Sequence, residues 1–312
     1  MKAIGITRFG GPDALHVVEL PDPEPGPGEL RIRVHAATVN PTDTGLRSGA
    51  GAALLEGTPP PYVPGMDVAG VIDMIAPGVQ TDLRPGDHVM AIVIPDGSHG
   101  GYSELIAVPA DSVARVPAGA TDAEASTLPM NGLTTLQALD LLDLKPSQVL
   151  AITGAAGAVG GYAVQLGRAA GLRIIADAAA DDEQLVRELG ADTVVERGPE
   201  FAERVRAIVP DGADGLIDAA LLDQAAVPAV RDGGKVATVR GFQGEPGRGV
   251  TFYPVSVRRY ARERAKLDRL RAQVEAGEIT LRVADILPAE QAAQAHRMLE
   301  AGGIRGRLVL TF

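Results

Sequence analysis

The sequence predicts an α/β chain in which a doubly wound parallel sheet is flanked by β-rich stretches. Three observations predict it. Strands and helices alternate through the middle of the chain, a glycine-rich turn joins one of those strands to its helix, and the flanking parts are short β-branched runs broken by Pro and Gly. At 312 residues the chain has length for about two domains, with a core that needs no covalent staples. Apolar residues make up 46% and charged ones 22%, which excludes wholesale disorder.

Residues 1–8 (MKAIGITR) lack the apolar core of a secretory leader and read as a first strand. Pro21–Gly28 is a turn-rich connector. Leu30–Val34, Val68–Ile72, His88–Ile94 and Ser103–Val108 read as antiparallel strands, and Gly57–Pro64 carries three consecutive prolines that a central strand would not accept. From Asp122 the texture changes. Glu124–Leu142 reads as a helix. Val149–Thr153, Arg173–Ala176, Thr193–Val195, Gly215–Asp218 and Lys235–Val239 read as strands, with helices over Val159–Ala170, Asp182–Leu189, Phe201–Val209 and Gln224–Val230 between them. Such alternation implies βαβ units. Val149–Gly167 is 19 residues without a charge, but its five glycines fit a turn better than a lipid-facing helix. After Gly249 come a strand over Val250–Val257, a charged helix over Arg258–Glu275, a strand over Val283–Leu287, a helix over Pro288–Glu300 and a last strand over Arg307–Phe312.

Composition excludes several functions. With 29 Lys plus Arg against 40 Asp plus Glu, the net charge is −11 and a nucleic-acid partner is not expected. No membrane partner is expected either, and the chain reads as soluble and cytoplasmic. Cysteine is absent, so there is no disulfide framework, thiolate nucleophile or Cys-ligated zinc. The five histidines (16, 35, 88, 99 and 296) are scattered without metal-ligand spacing, and no metal is expected.

The sharpest motif is Gly154-Ala155-Ala156-Gly157-Ala158-Val159-Gly160, between the strand Val149–Thr153 and the helix Val159–Ala170. In that setting glycines allow a tight turn, close approach of a pyrophosphate and close helix–strand packing, and the helix start offers free N–H groups. This reads as a Rossmann dinucleotide signature; glycines that only pack the helix on the sheet are the alternative. The next strand ends at Asp177, 17 residues after Gly160, with Ala178 beside it. A carboxylate there accepts hydrogen bonds from ribose hydroxyls and repels a 2′-phosphate, which on charge favours NADH; the alternatives are a solvent-facing Asp177 or Asp181 and Asp182 as caps of the next helix.

Taken with Asn40-Pro41-Thr42-Asp43, Val63–Val71 (VPGMDVAGV), Arg84–Val89 (RPGDHV) and Gly302–Leu310 (GGIRGRLVL), the whole chain resembles the zinc-independent medium-chain dehydrogenase/reductase superfamily, in its quinone oxidoreductase (zeta-crystallin-like) branch. The resemblance implies a GroES-like catalytic domain over 1–120 and 258–312, a Rossmann domain over 121–257, and an active site in the cleft between them. Zinc-dependent relatives carry His-Glu where this chain has Met66-Asp67 and Cys where it has Asn40. Asn40 would sit beside the nicotinamide and Thr134 near it. Gly154, Gly157 and Gly160 would form the phosphate turn, with the backbone of Ala158 and Val159 facing the pyrophosphate. Leu221, Leu222, Gly241, Phe242 and Phe252 would line the cofactor from strand ends, or be plain core. Arg197 falls where a Tyr often flanks the adenosine, and the family's habit keeps NADPH open.

The implied activity is NAD(P)H-dependent reduction of a quinone or α,β-unsaturated carbonyl without zinc. Two alternatives stand: a pathway-specific ene-reductase on a carrier-bound or polyketide substrate, and a non-catalytic dinucleotide-binding regulator. Relatives that reduce enoyl thioesters place a proton-donating Tyr where this chain has Gly51. The oxyanion donors open to the chain are Asn40, Tyr62, Arg47 or water, and solvent is the preferred proton source. Asp43 and Arg47, four apart on a short turn, read as a structural ion pair, with a catalytic dyad as the alternative. The strand around Val250 is an edge suited to a homodimer.

Overall fold

Apolar and charged residues alternate in ELRIRVHAAT, the period of a strand with one face in a core, and the computed structural model makes this stretch its longest strand. The structure describes residues 1–245 and 247–312. In chain order the elements are β1 (Lys2–Gly5), β2 (His16–Glu19), β3 (Glu29–Thr38), α1 (Pro41–Ser48), β4 (Asp67–Ile75), β5 (His88–Ile92), β6 (Leu105–Pro109) and β7 (Val113–Arg115). Then follow α2 (Asp122–Ala125), α3 (Pro129–Leu142), β8 (Val149–Thr153), α4 (Ala158–Ala169), β9 (Arg173–Ala178), α5 (Glu183–Glu188), β10 (Thr193–Glu196), α6 (Phe201–Ile208) and β11 (Ala213–Asp218). The chain ends with β12 (Val230–Thr238), β13 (Thr251–Pro254), α7 (Arg264–Glu275), β14 (Val283–Pro288), α8 (Ala292–Ala301) and β15 (Arg307–Thr311).

The chain divides into two units. One comprises Met1–Met130, Ala261–Glu275 and Thr280–Phe312. Its seven-stranded sheet runs β14-β15-β3-β4-β5-β7, with β6 also on β3, and every pairing is antiparallel except β14 with β15. Leu30, Ile32 and Val34 from β3 enter its core with Val68, Ile72, Ile106, Leu308 and Leu310. The other unit comprises Asn131–Tyr260 and Ala276–Ile279. Its sheet, β10-β9-β8-β11-β12-β13, is wholly parallel, with β13 at one edge. Alternate residues feed opposite faces: Leu150, Ile152, Ile174 and Ile217 pack in one cluster, and Ala151, Ile175, Leu216 and Val236 in another. That two-sided burial is what a parallel sheet requires. Among the described residues no helix is long and apolar enough to cross a membrane.

Several expected elements are corrected. The helix over Glu124–Leu142 is two, because Thr121 and Glu124 cap the four-residue α2 and Pro129 opens a new helix. Gln224–Val230 is not a helix. Pro228 lies in its middle, and the stretch forms short 3-10 turns before β12. The strand over Val250–Val257 is confined to Thr251–Pro254, and the helix expected from Arg258 begins at Arg264, after a 3-10 turn over Val257–Tyr260. Pro288 ends β14, and the helix expected from it begins at Ala292. The short turn read at Asp43–Arg47 is the helix α1. Strand β2 was not expected; HVVE is mostly exposed and leaves little periodic signal.

Candidate functional site

Asn40 is the N-cap of α1 and is fully buried. Three neighbouring strands surround it, β15, β3 and β4, and each brings one polar side chain. Arg307 opens β15, Thr38 ends β3 and Asp67 opens β4. The Asn40 amide donates from Nδ2 to Asp67 Oδ2 at 2.9 Å and to the Thr38 carbonyl at 3.4 Å, and its Oδ1 accepts from Arg307 at 2.6 Å. Asp67 Oδ2 also accepts from the Thr38 hydroxyl at 2.8 Å and from Arg307 at 3.3 Å, while its Oδ1 accepts from the Met130 N–H at 2.5 Å. Arg307 further donates to the Val39 and Thr127 carbonyls. The carboxylate and the guanidinium are thus buried together and hydrogen-bonded, the one arrangement in which buried charge is tolerated.

A second polar chain starts one turn on. Asp43 accepts from the Asn40 N–H at 2.7 Å, the Gly65 N–H at 3.0 Å and the Tyr102 hydroxyl at 3.1 Å. Burial nevertheless pushes its carboxyl up to about 7. The Tyr102 oxygen lies 3.2 Å from His296 Nε2, and Arg47 lies 3.4 Å from His296 Nδ1 and pairs with Glu300. Burial, and then the Arg47 charge, push His296 down to about 3. Arg47 is therefore paired with Glu300 rather than Asp43. Tyr62 stands outside both chains. Its hydroxyl donates to the Thr58 carbonyl at 2.9 Å and its ring stacks on Phe9 at 5.4 Å.

In the other unit the parallel sheet places the carboxyl ends of β8, β9, β10, β11 and β12 along one edge. At the end of β8 Gly154 turns with φ +67°, and its carbonyl accepts from the Gly157 N–H at 2.9 Å. A Cβ on Gly160 would stand 2.2 Å from that carbonyl oxygen, so only glycine lets α4 start this close to the turn. Ala158 and Val159 open α4, where main-chain N–H groups are uncommitted within the helix. Asp177 is buried under the turn. It accepts from the Ala155 N–H at 3.1 Å, and burial raises its carboxyl against the pull of the Ala155 and Gly154 N–H groups and of Arg197. Ala178 is buried beside it and accepts from the main chain of Arg197, whose residue is exposed. Leu221 is exposed with φ +60°, Leu222 and Phe252 pack on one cluster, and Phe242 meets Phe252 edge-on at 5.9 Å. Gly241 turns after β12 with φ +78°, and Thr134 is buried in α3.

Two residues missed in the sequence organise these places. Asp218, at the end of β11, accepts from the Thr153 hydroxyl at 2.6 Å and from the N–H groups of Leu222 and Asp223 at 3.1 and 2.7 Å. Arg307 is the other; its signal is one cation at the head of a mostly apolar terminal strand. The glycine cradle, with room for a backbone approach and none for a side chain, fits a dinucleotide pyrophosphate.

Comparison with known proteins gives the same picture. Residues 26–118 match the alcohol dehydrogenase GroES-like domain and residues 189–310 the zinc-binding dehydrogenase domain. The chain is 29% identical to pig (Sus scrofa) quinone oxidoreductase, over 99% of its own length and 97% of that protein. It is 31% identical to the chloroplastic NADPH-dependent alkenal/one oxidoreductase of Arabidopsis thaliana, over 79% of its length and 64% of that protein. A mycobacterial structure solved with NADPH superposes with TM-score 0.85 over both whole chains at 27% identity.

Replacing Arg307 by Met strands a buried carboxylate and is expected to cost about 3–5 kcal/mol, read by urea unfolding, whereas adding Asp67→Asn recovers most of it. A second expectation concerns pH. Folding gives Asp43 a proton between its ordinary 3.8 and about 7, so its contribution falls as pH rises through that window. Folding takes a proton from His296 between about 3 and 6.5, so its contribution is lost as pH falls. The two slopes oppose each other. Asp43→Asn should make the urea midpoint rise from pH 4 to 6.5, His296→Gln should make it fall, and the parent should vary less than either.

Proposed function

Because the chain belongs to the medium-chain dehydrogenase/reductase family, in its quinone oxidoreductase branch, and is an NAD(P)H-dependent oxidoreductase, we propose that it reduces a quinone or an α,β-unsaturated carbonyl without a catalytic metal. The observation that carries this reading is the Asn40–Asp67–Arg307 centre. A divalent ion needs donor atoms with free lone pairs. Here Asp67 already accepts four hydrogen bonds and Asn40 Oδ1 is taken by Arg307. The guanidinium also repels a second positive charge at that carboxylate. The donor set does not fit zinc. Quinones and enones are already electron-poor at the accepting carbon and need no strong Lewis acid.

When bound, a reduced dinucleotide would supply hydride from its nicotinamide. This chain's residues would hold and orient it: the turn at Gly154–Gly160 and the first N–H groups of α4 would take the pyrophosphate, while Thr153 and Asp218 fix the neighbouring strand ends. When the acceptor carbon takes hydride, its carbonyl becomes an oxyanion and one proton completes the product. Asn40 has given its amide hydrogens to Asp67 and Thr38, and the Tyr62 hydroxyl is given to Thr58. Solvent therefore supplies the proton, and Asn40 serves as a positioning residue.

The cofactor assigned to this reading is NADPH. The Asp177 carboxylate is turned inward and occupied by the Ala155 N–H of the loop, and the exposed Arg197, close enough to act on its charge, is the cation this reading assigns to the 2′-phosphate. The NADPH-bound mycobacterial structure supports the choice.

Turnover of 1,4-benzoquinone and of a simple enone by chelator-treated protein is expected to equal that of untreated protein. Tyr62→Phe is expected to hold kcat within about threefold, since losing a true general acid costs about 10²–10⁴-fold. Loss of turnover on chelation, or a hundredfold fall in Tyr62→Phe, would overturn the metal-free or the solvent-proton reading respectively. Arg197→Ala is expected to weaken NADPH binding about 10–100-fold by fluorescence titration while leaving NADH binding unchanged. Equal losses for both nucleotides would sink the NADPH assignment.

A further inference from the structure

The geometry points to a binding site for one divalent transition-metal ion of the zinc class, built from His35, His88 and Asp122. Sequence spacing hides it, because the three residues come from β3, β5 and α2. Strand β3 pairs with β4 in one register from Ile32↔Ile72 to Val34↔Gly70 and in another from Ala36↔Ala69, leaving His35 as a bulged residue. A bulge of this kind re-aims its side chain. Gly70 makes it possible: a Cβ there would stand 2.0 Å from the Arg33 carbonyl oxygen and 3.0 Å from the His35 nitrogen. The re-aimed His35 ring lies 6.1 Å from the ring of His88, the first residue of β5. Asp122 opens α2, fixed from behind by the capping box of Thr121 and Glu124.

These residues already converge on one point. His35 Nδ1 is 2.7 Å from Asp122 Oδ2, and His88 Nδ1 is 3.0 Å from Asp122 Oδ1. All the ligand atoms lie within 4.8 Å of one another. One carboxylate bridging two imidazoles through hydrogen bonds needs only small shifts to become three ligands at about 2.0–2.2 Å from a common ion. The site is reachable, with side-chain exposures of 41% for His35 and 60% for His88, and the remaining coordination positions face water. Two imidazoles and one carboxylate select Zn²⁺ and its neighbours over Mg²⁺ and Ca²⁺, which take oxygen ligands throughout. The charge is favourable, since one carboxylate offsets part of the ion's charge on a chain with net charge −11. Because Asp122 is 87 residues from His35 and 34 from His88, the ion would clip together segments distant in sequence.

The test uses the full chain, tag-free, chelator-treated and dialysed, titrated with Zn²⁺ alone by calorimetry and followed in parallel by thermal unfolding. One zinc per chain is expected, with a dissociation constant on the order of micromolar and a Tm that climbs with zinc concentration. His88→Ala, at an exposed position, is expected to fold normally, to weaken binding at least about tenfold and to abolish the Tm shift. His35→Ala should do the same, while His16→Ala, at an exposed histidine on β2, should bind zinc like the parent. Co²⁺ in place of Zn²⁺ should give a visible absorption band in the parent and none in His88→Ala. No saturable binding below about millimolar zinc, or equal affinity in the parent and both site variants, would overturn the proposal. Quinone turnover does not enter the readout, so this outcome is independent of the reaction proposed above.

Discussion

A guanidinium and a carboxylate buried against each other decide the shape of the unit that holds Asn40. Arg307 and Asp67 are 5% and 0% exposed in their side chains, and neither is tolerable there without the other. The pair also sets what surrounds it. Arg307 reaches the carbonyls of Val39 and Thr127, and Asp67 collects the Thr38 hydroxyl and the Met130 N–H, so one ion pair fixes the end of β3, the start of α3 and the approach to α1. Asn40 inherits its orientation from this frame, because its oxygen must face the cation and its nitrogen the anion. An amide held at both ends cannot flip, which makes it a rigid marker rather than an adaptable donor.

The same logic, a carboxylate collecting orphan donors, recurs at the strand ends of the parallel sheet. Asp218 takes two loop N–H groups and the Thr153 hydroxyl, and Asp177 takes the N–H of the glycine turn. Loops that carry nucleotide contacts are otherwise rich in unsatisfied backbone groups. By pinning these loops from below, the two acids hold the turn in shape while the first N–H groups of α4 stay uncommitted within the helix.

Much of this was legible in the sequence, and what was not has a common cause. The βαβ alternation, the glycine turn and the β-rich flanks are local patterns, read from periods of two and 3.6 residues, and the sheet they build is the one observed. Proline gave the clearest miss: Pro228 sits inside a stretch whose apolar spacing still looks helical, and backbone chemistry outweighed the pattern. Asp177 was recognised at the right strand end, yet burial and the Ala155 N–H turn its carboxylate inward, which charge counting along the chain cannot foresee. Arg307, Asp218, Tyr102 and the meeting of His35 with His88 are partnerships between residues far apart in sequence. Each looks ordinary in its own stretch of chain, and only the tertiary fold, with strand register and one bulge in the case of His35 and His88, makes it a neighbour of the other.

The return of β15 to the middle of a sheet begun by β3 and β4 has a consequence for the order in which the molecule is made. Arg307 follows Asp67 by 240 residues, so at ribosomal speeds of about 5–20 residues per second Asp67 waits roughly 10–50 s for its counter-charge. Once β4 and then β6 have been made, β3 has both beside it but not β15, and for the rest of that interval a ladder edge is open on the nascent chain. The parallel sheet, by contrast, has all six of its strands synthesised by Pro254. The two halves of this protein therefore differ in how long each stays unfinished, and the half that holds Asn40 is the one left exposed to wrong pairings in the cell.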